Sequence, residues 1–306
     1  MNVAGIDMGS NAIRVTIAES SGTNKPHDPK NLILKERYPC RLGSDVFKSQ
    51  TISQEKEAQL HFIFEKIDSL LEDYDVEKIT GVATSAFREA DNGQKILKDI
   101  ERIHKIRIDV ISGKLEAKYM AEGLRKRGEF DDDHAHLHMD IGGGSLELSL
   151  YDEGKFYFQK SIDVGTLRLL VDTRTGQLIP NHSKQLDLIN PIFKAKHVKE
   201  LVETYEPSVL LIHGTGGNFR RLGRLRKQSL NKAKDNYIQA SEIPYLLGTY
   251  MNYSGYELSK HVALKEENAA LIVPSLLIIQ RVMNFWPATK IKIPNISLSH
   301  TLLDGL

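Results

Sequence analysis

One short phrase occurs twice in this chain. Asp7-Met8-Gly9-Ser10-Asn11-Ala12-Ile13-Arg14-Val15-Thr16-Ile17 aligns without a gap on Asp140-Ile141-Gly142-Gly143-Gly144-Ser145-Leu146-Glu147-Leu148-Ser149-Leu150. Each copy is an apolar run, an Asp, a turn of small residues and a second run alternating with period two, the pattern of a β-hairpin closed by a tight glycine turn. A repeated hairpin predicts two similar domains. Such turns leave backbone N–H groups free of side chains and able to hold phosphate oxygens, and each Asp stands where a hydrated cation needs a carboxylate. Two such turns facing each other predict a polyanion in a cleft. Gly9, Ser10, Asn11, Gly143, Gly144 and Ser145 are the expected donors to phosphate.

The 306 residues, 41% hydrophobic and 26% charged, suffice for two ordinary α/β domains, each with its own core. The formal net charge of +1 creates no overall field suited to nucleic acid or a membrane, so attraction for an anion must come from local clustering. The longest apolar stretch, Ala269 to Gln280, contains Pro274 and is too short to span a bilayer. Cys40 is alone, which excludes internal disulfides and a cysteine metal cage. Met1 runs almost directly into the first strand without a charged and then apolar leader, so a cytoplasmic location is expected.

Beyond the first hairpin, Lys25 to Pro29 reads as an exposed turn and Asn31 to Cys40 as a third strand. From Ser53 to Tyr74, Leu60, Ile63, Phe64, Ile67, Leu70 and Leu71 follow helical spacing, which predicts a long amphipathic helix over one sheet face. Lys78 to Ala83 reads as a strand leading to a loop, Asp91 to Ile103 as a helix, Ile106 to Ile111 as a strand and Glu116 to Arg127 as a helix crossing to the second domain. That alternation describes an α/β sheet. After the acidic run Glu129 to Asp133, an expected linker, the logic repeats. Phe156 to Val164 reads as a strand, Gly165 to Thr173 as a helix start, Lys184 to Tyr205 as helical, and Val209 to His213 as a buried strand emptying into a glycine loop, Gly214-Thr215-Gly216-Gly217. Arg220, Arg224 and Lys227 make a basic stripe on the next helix, either a guide for a polyanion or a solvated face. His134, His136 and His138 share the parity of Asp140; a histidine-rich strand entrance and a transition-metal site are both open.

The repeat resembles the two phosphate loops of the actin, Hsp70 and sugar-kinase superfold. Val82-Ala83-Thr84-Ser85-Ala86-Phe87-Arg88-Glu89-Ala90, Ile111-Ser112-Gly113-Lys114-Leu115-Glu116-Ala117, Asp140 to Glu147 and Gly214-Thr215-Gly216-Gly217-Asn218 follow in the order and spacing typical of the exopolyphosphatase/guanosine pentaphosphate phosphatase (Ppx/GppA) family, in a short two-domain form. The resemblance implies an α/β fold of two ribonuclease H-like (actin-like ATPase) domains with a central cleft. The expected division is 1–117 for the first domain, joined by the C-terminal 299–306, and 118–298 for the second.

The resemblance also implies roles. Hydrolysis of a phosphoanhydride needs neutralised phosphoryl charge and an oriented water, because the transition state is loose. Glu116 matches the position that activates this water. Asp140 and Glu147 match positions that hold or orient a divalent cation, with Asp7 contributing from the first turn; Mg2+, or Mn2+, suits such oxygen donors. Arg88 matches a phosphate-contacting position, Thr84 and Ser85 are expected to hydrogen-bond phosphate rather than act as nucleophiles because the family attacks with water, and Gly214, Gly216 and Gly217 match the loop that lines the cleft. Arg14 in the first copy stands where Glu147 stands in the second, so one half offers phosphate a cation and the other offers a metal a carboxylate. The implied activity is release of terminal phosphate from inorganic polyphosphate or guanosine pentaphosphate. The implied partners are polyphosphate or guanosine penta- and tetraphosphate, with no nucleic acid, no membrane and a homodimer open.

The chain departs from the family pattern in places. Leu146 stands where the family usually has threonine, Leu115 and Glu116 where it has an acidic pair, Asn268 and Ala270 where it has Arg and Asp, and Leu303 where many members have Arg. Two other readings therefore stay open: a sensor that binds a guanosine alarmone or polyphosphate without turnover, and an ATP-dependent small-molecule kinase.

Overall fold

The computed structural model describes residues 1–20, 31–172, 175–230 and 236–305. The turn expected at Lys25 to Pro29 lies outside the described residues. The chain divides into two compact units, Met1–Arg127 with Ile296–Leu306, and Gly128–Asn295.

In the first unit, β1 (Asn2–Met8), β2 (Ala12–Glu19) and β3 (Leu32–Pro39) form an antiparallel meander. On the other side of β1, β4 (Val76–Ala83) and β5 (Ile108–Val110) pair in parallel, giving the order β3-β2-β1-β4-β5. Ala4, Ile6 and Met8 alternate onto one face of β1 and join Ile13, Val15 and Ile17 in a core with Leu60, Ile63, Phe64 and Ile67. The last four come from the helix Gln54–Asp73, whose start is set by the Ser53 hydroxyl accepting the Lys56 N–H. The opposite sheet face receives the C-terminal segment, where Thr16 and Ser299 hydroxyls meet at 2.8 Å. The expected boundary at residue 117 falls inside the helix Gly113–Lys126, capped by Ser112, and the division between units comes after that helix ends.

In the second unit, β6 (Ala135–Ile141), β7 (Leu146–Asp152) and β8 (Lys155–Ile162) form the corresponding meander. A small ribbon of β9 (Leu170–Asp172) and β10 (Gln177–Leu178) follows. β11 (Leu210–Thr215) runs parallel to β6, and β12 (Tyr237–Gln239) and β13 (Lys290–Lys292) complete the order β12-β13-β11-β6-β7-β8. Without β12, the order β8-β7-β6-β11-β13 repeats that of the first unit strand for strand. Three antiparallel strands with two parallel strands on the far side of the first make each unit ribonuclease H-like. Leu137, Met139, Ile141, Leu148 and Leu150 form one sheet face and pack with Phe219, Leu222, Leu225 and the fully buried Trp286.

Four expectations need correction. The segment from Gly165 is not a helix start: the Thr166 and Leu167 amides donate to the Gly142 and Gly143 carbonyls, which fastens this segment to the second turn and leads into β9. The stretch 184–205 is broken into the helices His182–Asp187, Asn190–Phe193 and Lys196–Thr204, with Pro191 starting the middle one. Residues 214–217 are not a loop. β11 ends at Thr215 and the helix Gly216–Leu230 begins at once, a reversal allowed by Gly216 at φ +85°. β4 likewise leads directly into a short helix, Ser85–Glu89, rather than a loop.

Candidate active site

Both hairpin turns close in the same way. Gly9 N–H donates to Ala12 O at 3.2 Å, and its counterpart Gly142 N–H donates to Ser145 O at 2.9 Å. The outer carbonyls are tied down in parallel fashion as well: Gly43 N–H reaches Ser10 O at 2.9 Å and Leu167 N–H reaches Gly143 O at 2.9 Å. The amides of Ser10, Asn11, Gly143 and Gly144 have no acceptor among the described residues. Gly143 and Gly144 are buried, where an amide without an acceptor is costly and marks a place for a ligand oxygen or water.

In the first unit, the segment after β4 is fastened to the turn. Thr84 N–H donates to Met8 O at 3.2 Å, and the buried Ser85 and Ser10 hydroxyls meet at 2.6 Å. This holds Thr84, itself buried, next to the turn, with Arg88 one helical turn on. Arg88 Nη1 donates to Ile111 O and to Glu116 Oε2, both at 3.0 Å. Arg88 and Glu116 were expected in separate roles; they form an ion pair whose side chains are 20% and 14% exposed. Arg14 pairs with Asp7, directly opposite it across β1 and β2, at 3.1 Å.

In the second unit, the corresponding cross-strand pair is Asp140 and Glu147, two carboxylates side by side on one face. The row continues on both sides, because Thr215 lies beside Asp140 and Ser161 beside Glu147. Thr215 Oγ1 donates to Asp140 Oδ2 at 2.6 Å and Ser161 Oγ to Glu147 Oε1 at 2.9 Å. Glu147 is 2% exposed. Gly216 makes room for Asp140: a Cβ there would stand 2.5 Å from Asp140 Oδ1. Gly214 is buried under Phe219, and Gly217 lies in the first turn of the helix that begins at Gly216. Ser145 is buried at the end of the second turn.

Behind this row, His138 Nε2 lies 2.9 Å from Thr215 Oγ1, and His136 Nδ1 lies 2.9 Å from His213 Nε2. Burial pushes His138 down to about 4 and drives His213 well below the ordinary imidazole range, so both rings are neutral near pH 7. Among the described residues, no three His, Cys, Asp or Glu side chains gather in a cluster suited to a metal. Asp140 and Glu147 form a pair of oxygen donors, which fits a cation such as Mg2+ that keeps several of its waters. Of the expected basic stripe, Arg224 and Lys227 are exposed. Their neighbour Arg226 is instead buried against Glu242 at 2.6 Å.

Sequence reasoning missed Ser161 and Arg168 as neighbours of the site, and it named Ser85, His138 and Thr215 without the partners they have here. Arg168 Nε donates to Gly144 O, so it supports the second turn. Ser161 and Thr215 become visible only when strand register is known, since each is adjacent to an acid across a strand pair and remote from it in sequence. No helix among the described residues is long and apolar enough to cross a membrane.

The fold is shared with solved structures along its whole length. An exopolyphosphatase from Cytophaga hutchinsonii superposes with a TM-score of 0.83 at 21% identity, covering 100% of this chain and 99% of that one. A Ppx/GppA family member from Aquifex aeolicus superposes at 0.73 with 20% identity, covering 100% and 97%. By sequence, the chain is 24% identical over 309 residues to the bifunctional 3-dehydroquinate synthase/phosphatase of Fusobacterium nucleatum, covering 99% of this chain and 46% of that protein. It is 27% identical over 165 residues to a guanosine-5'-triphosphate,3'-diphosphate pyrophosphatase of Pseudoalteromonas translucida, covering 54% and 32%. The chain thus spans less than half the length of either curated relative. The profile of the Ppx/GppA phosphatase family matches residues 21–306, and with the repeated turn, the strand order and the motif residues in register, the chain belongs to that family.

Proposed function

We propose that the chain hydrolyses phosphoanhydrides, releasing terminal phosphate from inorganic polyphosphate or guanosine pentaphosphate. The observation that carries this reading is the Arg88–Glu116 pair at 3.0 Å, in the unit whose first turn has free backbone amides. In the first unit the amides of Ser10 and Asn11 and the hydroxyl of Thr84 would donate to phosphate oxygens, and in the second unit the amides of Gly143 and Gly144 would do so. Gly216 and Gly217 would bring backbone close to the substrate, whereas Gly214, expected with them, is packed under Phe219 and has a structural role instead. An arriving phosphate competes for the Arg88 guanidinium, which can serve two oxygens at once. Glu116, released in part from that pair, orients the attacking water and accepts its proton at a carboxylate oxygen.

Asp140 and Glu147 would hold Mg2+ or Mn2+, which when bound neutralises phosphate charge. Asp7 shares its charge with Arg14 and contributes less to cation binding. The names of the relatives agree with the reaction class: one is an exopolyphosphatase and one a guanosine-5'-triphosphate,3'-diphosphate pyrophosphatase.

The test is phosphate release with Mg2+ from short polyphosphate, long polyphosphate and guanosine pentaphosphate, comparing the natural chain with Glu116→Ala. Release that collapses in the variant supports the hydrolase and identifies the substrate. Binding of these ligands with no release by the natural chain would replace the hydrolase with a sensor.

A further inference from the structure

The Asp140 carboxylate is the end of a short buried hydrogen-bond chain. Thr215 Oγ1 lies 2.6 Å from Asp140 Oδ2 and 2.9 Å from His138 Nε2. Thr215 and His138 are both fully buried. Counting protons fixes the direction. A hydroxyl has one hydrogen; if it pointed at His138, two oxygens bearing only lone pairs would face each other at 2.6 Å beside Asp140. The Thr215 hydroxyl therefore donates to Asp140, and its lone pair accepts the Nε2–H of His138. His138 Nδ1 is then the bare nitrogen, and it has no hydrogen-bond partner among the described residues.

The fold makes this chain rigid. Thr215 is the last residue of β11, in register with Asp140, and His213 is in register with His138 one row behind. Gly216 begins a helix immediately afterwards and leaves Asp140 Oδ1 the space a Cβ would take. One carboxylate oxygen is thus occupied by Thr215, and the other fills the space that a Cβ at residue 216 would take. A buried polar network with each proton assigned holds its members in one arrangement, and partners behind a metal-binding carboxylate set its orientation and basicity.

We propose that Thr215, backed by His138, is a positioning residue that holds the Asp140 carboxylate in the orientation needed to bind a divalent cation. The inference rests on the reading that Asp140 takes the cation. Thr215→Val keeps the shape and removes the hydroxyl, whereas Thr215→Ser restores the donor. His138→Gln keeps an N–H near the Nε2 position, whereas His138→Leu removes it, and this second pair tests the chain without touching Thr215.

The experiment is titration of the full chain with Mn2+ alone, following free Mn2+ by electron paramagnetic resonance, with Asp140→Asn as control and circular dichroism to verify folding. Thr215→Val is expected to weaken Mn2+ binding by about 10–100-fold, the usual cost of losing such a partner. Thr215→Ser and His138→Gln are expected to bind close to the natural chain, and His138→Leu to fall between. If Asp140→Asn loses Mn2+ while folded Thr215→Val or His138→Leu binds as the natural chain does, the positioning role is overturned and the cation site stands. If Asp140→Asn binds Mn2+ as tightly as the natural chain, the cation reading fails and the positioning role fails with it.

Discussion

Arg14 and Glu147 hold the same place in the two repeated hairpins, and each lies opposite an aspartate across its strand pair. The outcome differs because the first pair is an arginine and a carboxylate at 3.1 Å, and the second is two carboxylates. One hairpin sets a guanidinium beside its aspartate; the other sets a second carboxylate there. The same hairpin geometry thus carries a different cross-strand pair in each unit through one change of residue type.

The first pair predicts a stability effect. Asp7 is buried, so Arg14→Met removes the guanidinium 3.1 Å from it and should destabilise the chain by about 1–3 kcal/mol, reduced from a fully buried pair because the Arg14 side chain is 22% exposed. Asp7→Asn in the same background should recover much of that loss. Urea unfolding of the two single variants and the double variant measures the coupling. Additive losses would show that the pair does not interact.

Glu116 and Arg88 should separate kinetically. Under the proposed role of Glu116 as acceptor of the water proton, Glu116→Gln should lower kcat by about 10²–10⁴ with little change in KM. Under the proposed role of Arg88 in binding phosphate, Arg88→Met should lower kcat/KM by roughly 10–100-fold, mainly through KM. Steady-state phosphate release with Mg2+ distinguishes them, and natural turnover in Glu116→Gln would remove Glu116 from the chemistry.

The repeated phrase was enough to reveal the two α/β units, because a hairpin with an Asp and small-residue turn needs nothing beyond local pattern to be recognised. The helix Gln54–Asp73 was legible for the same reason, its apolar spacing and Ser53 cap both being local. What escaped was set by contacts distant in sequence. Gly165 reads as the start of a helix, yet its neighbours' amides are taken by Gly142 and Gly143. β12 and β13 are three residues each, too short for alternation to register, and they exist because the sheet edge is there to pair with. At the site, the residue types were readable from motif resemblance. The pairing of Arg88 with Glu116 was not, because it depends on how the helix starts at Ser85 and Gly113 meet in space.

Gly216 predicts a coupled loss. At φ +85°, alanine is strained by about 1 kcal/mol or more, and its Cβ would stand 2.5 Å from Asp140 Oδ1. Gly216→Ala should therefore lower the melting temperature and weaken Mn2+ binding together. Thermal melts with and without Mn2+ test this: a rise in melting temperature with Mn2+ is expected for the natural chain and should shrink in the variant. An undiminished Mn2+-induced shift would show that Asp140 tolerates the displacement.

Buried neutral histidines make stability depend on pH in a definite direction. His138 titrates at about 4 in the folded chain, against 6.5 for a free imidazole, because burial penalises its charged form. As pH falls below about 6.5, the unfolded chain binds the proton first, so stability drops, and the loss is complete once pH passes the folded value near 4. Between pH 7.5 and 5 the loss from this one ring is about 2 kcal/mol, from 1.4 kcal/mol for each pH unit below 6.5. His213 adds to it in the same direction, since burial lowers it too. Urea unfolding at pH 7.5 and 5 should thus show a larger loss for the natural chain than for His138→Gln, which cannot take up the proton. Comparing the pH-induced change within each protein cancels the fixed cost of the substitution. Equal changes would mean that His138 is already able to charge in the folded chain, and that the row behind Asp140 is open to water.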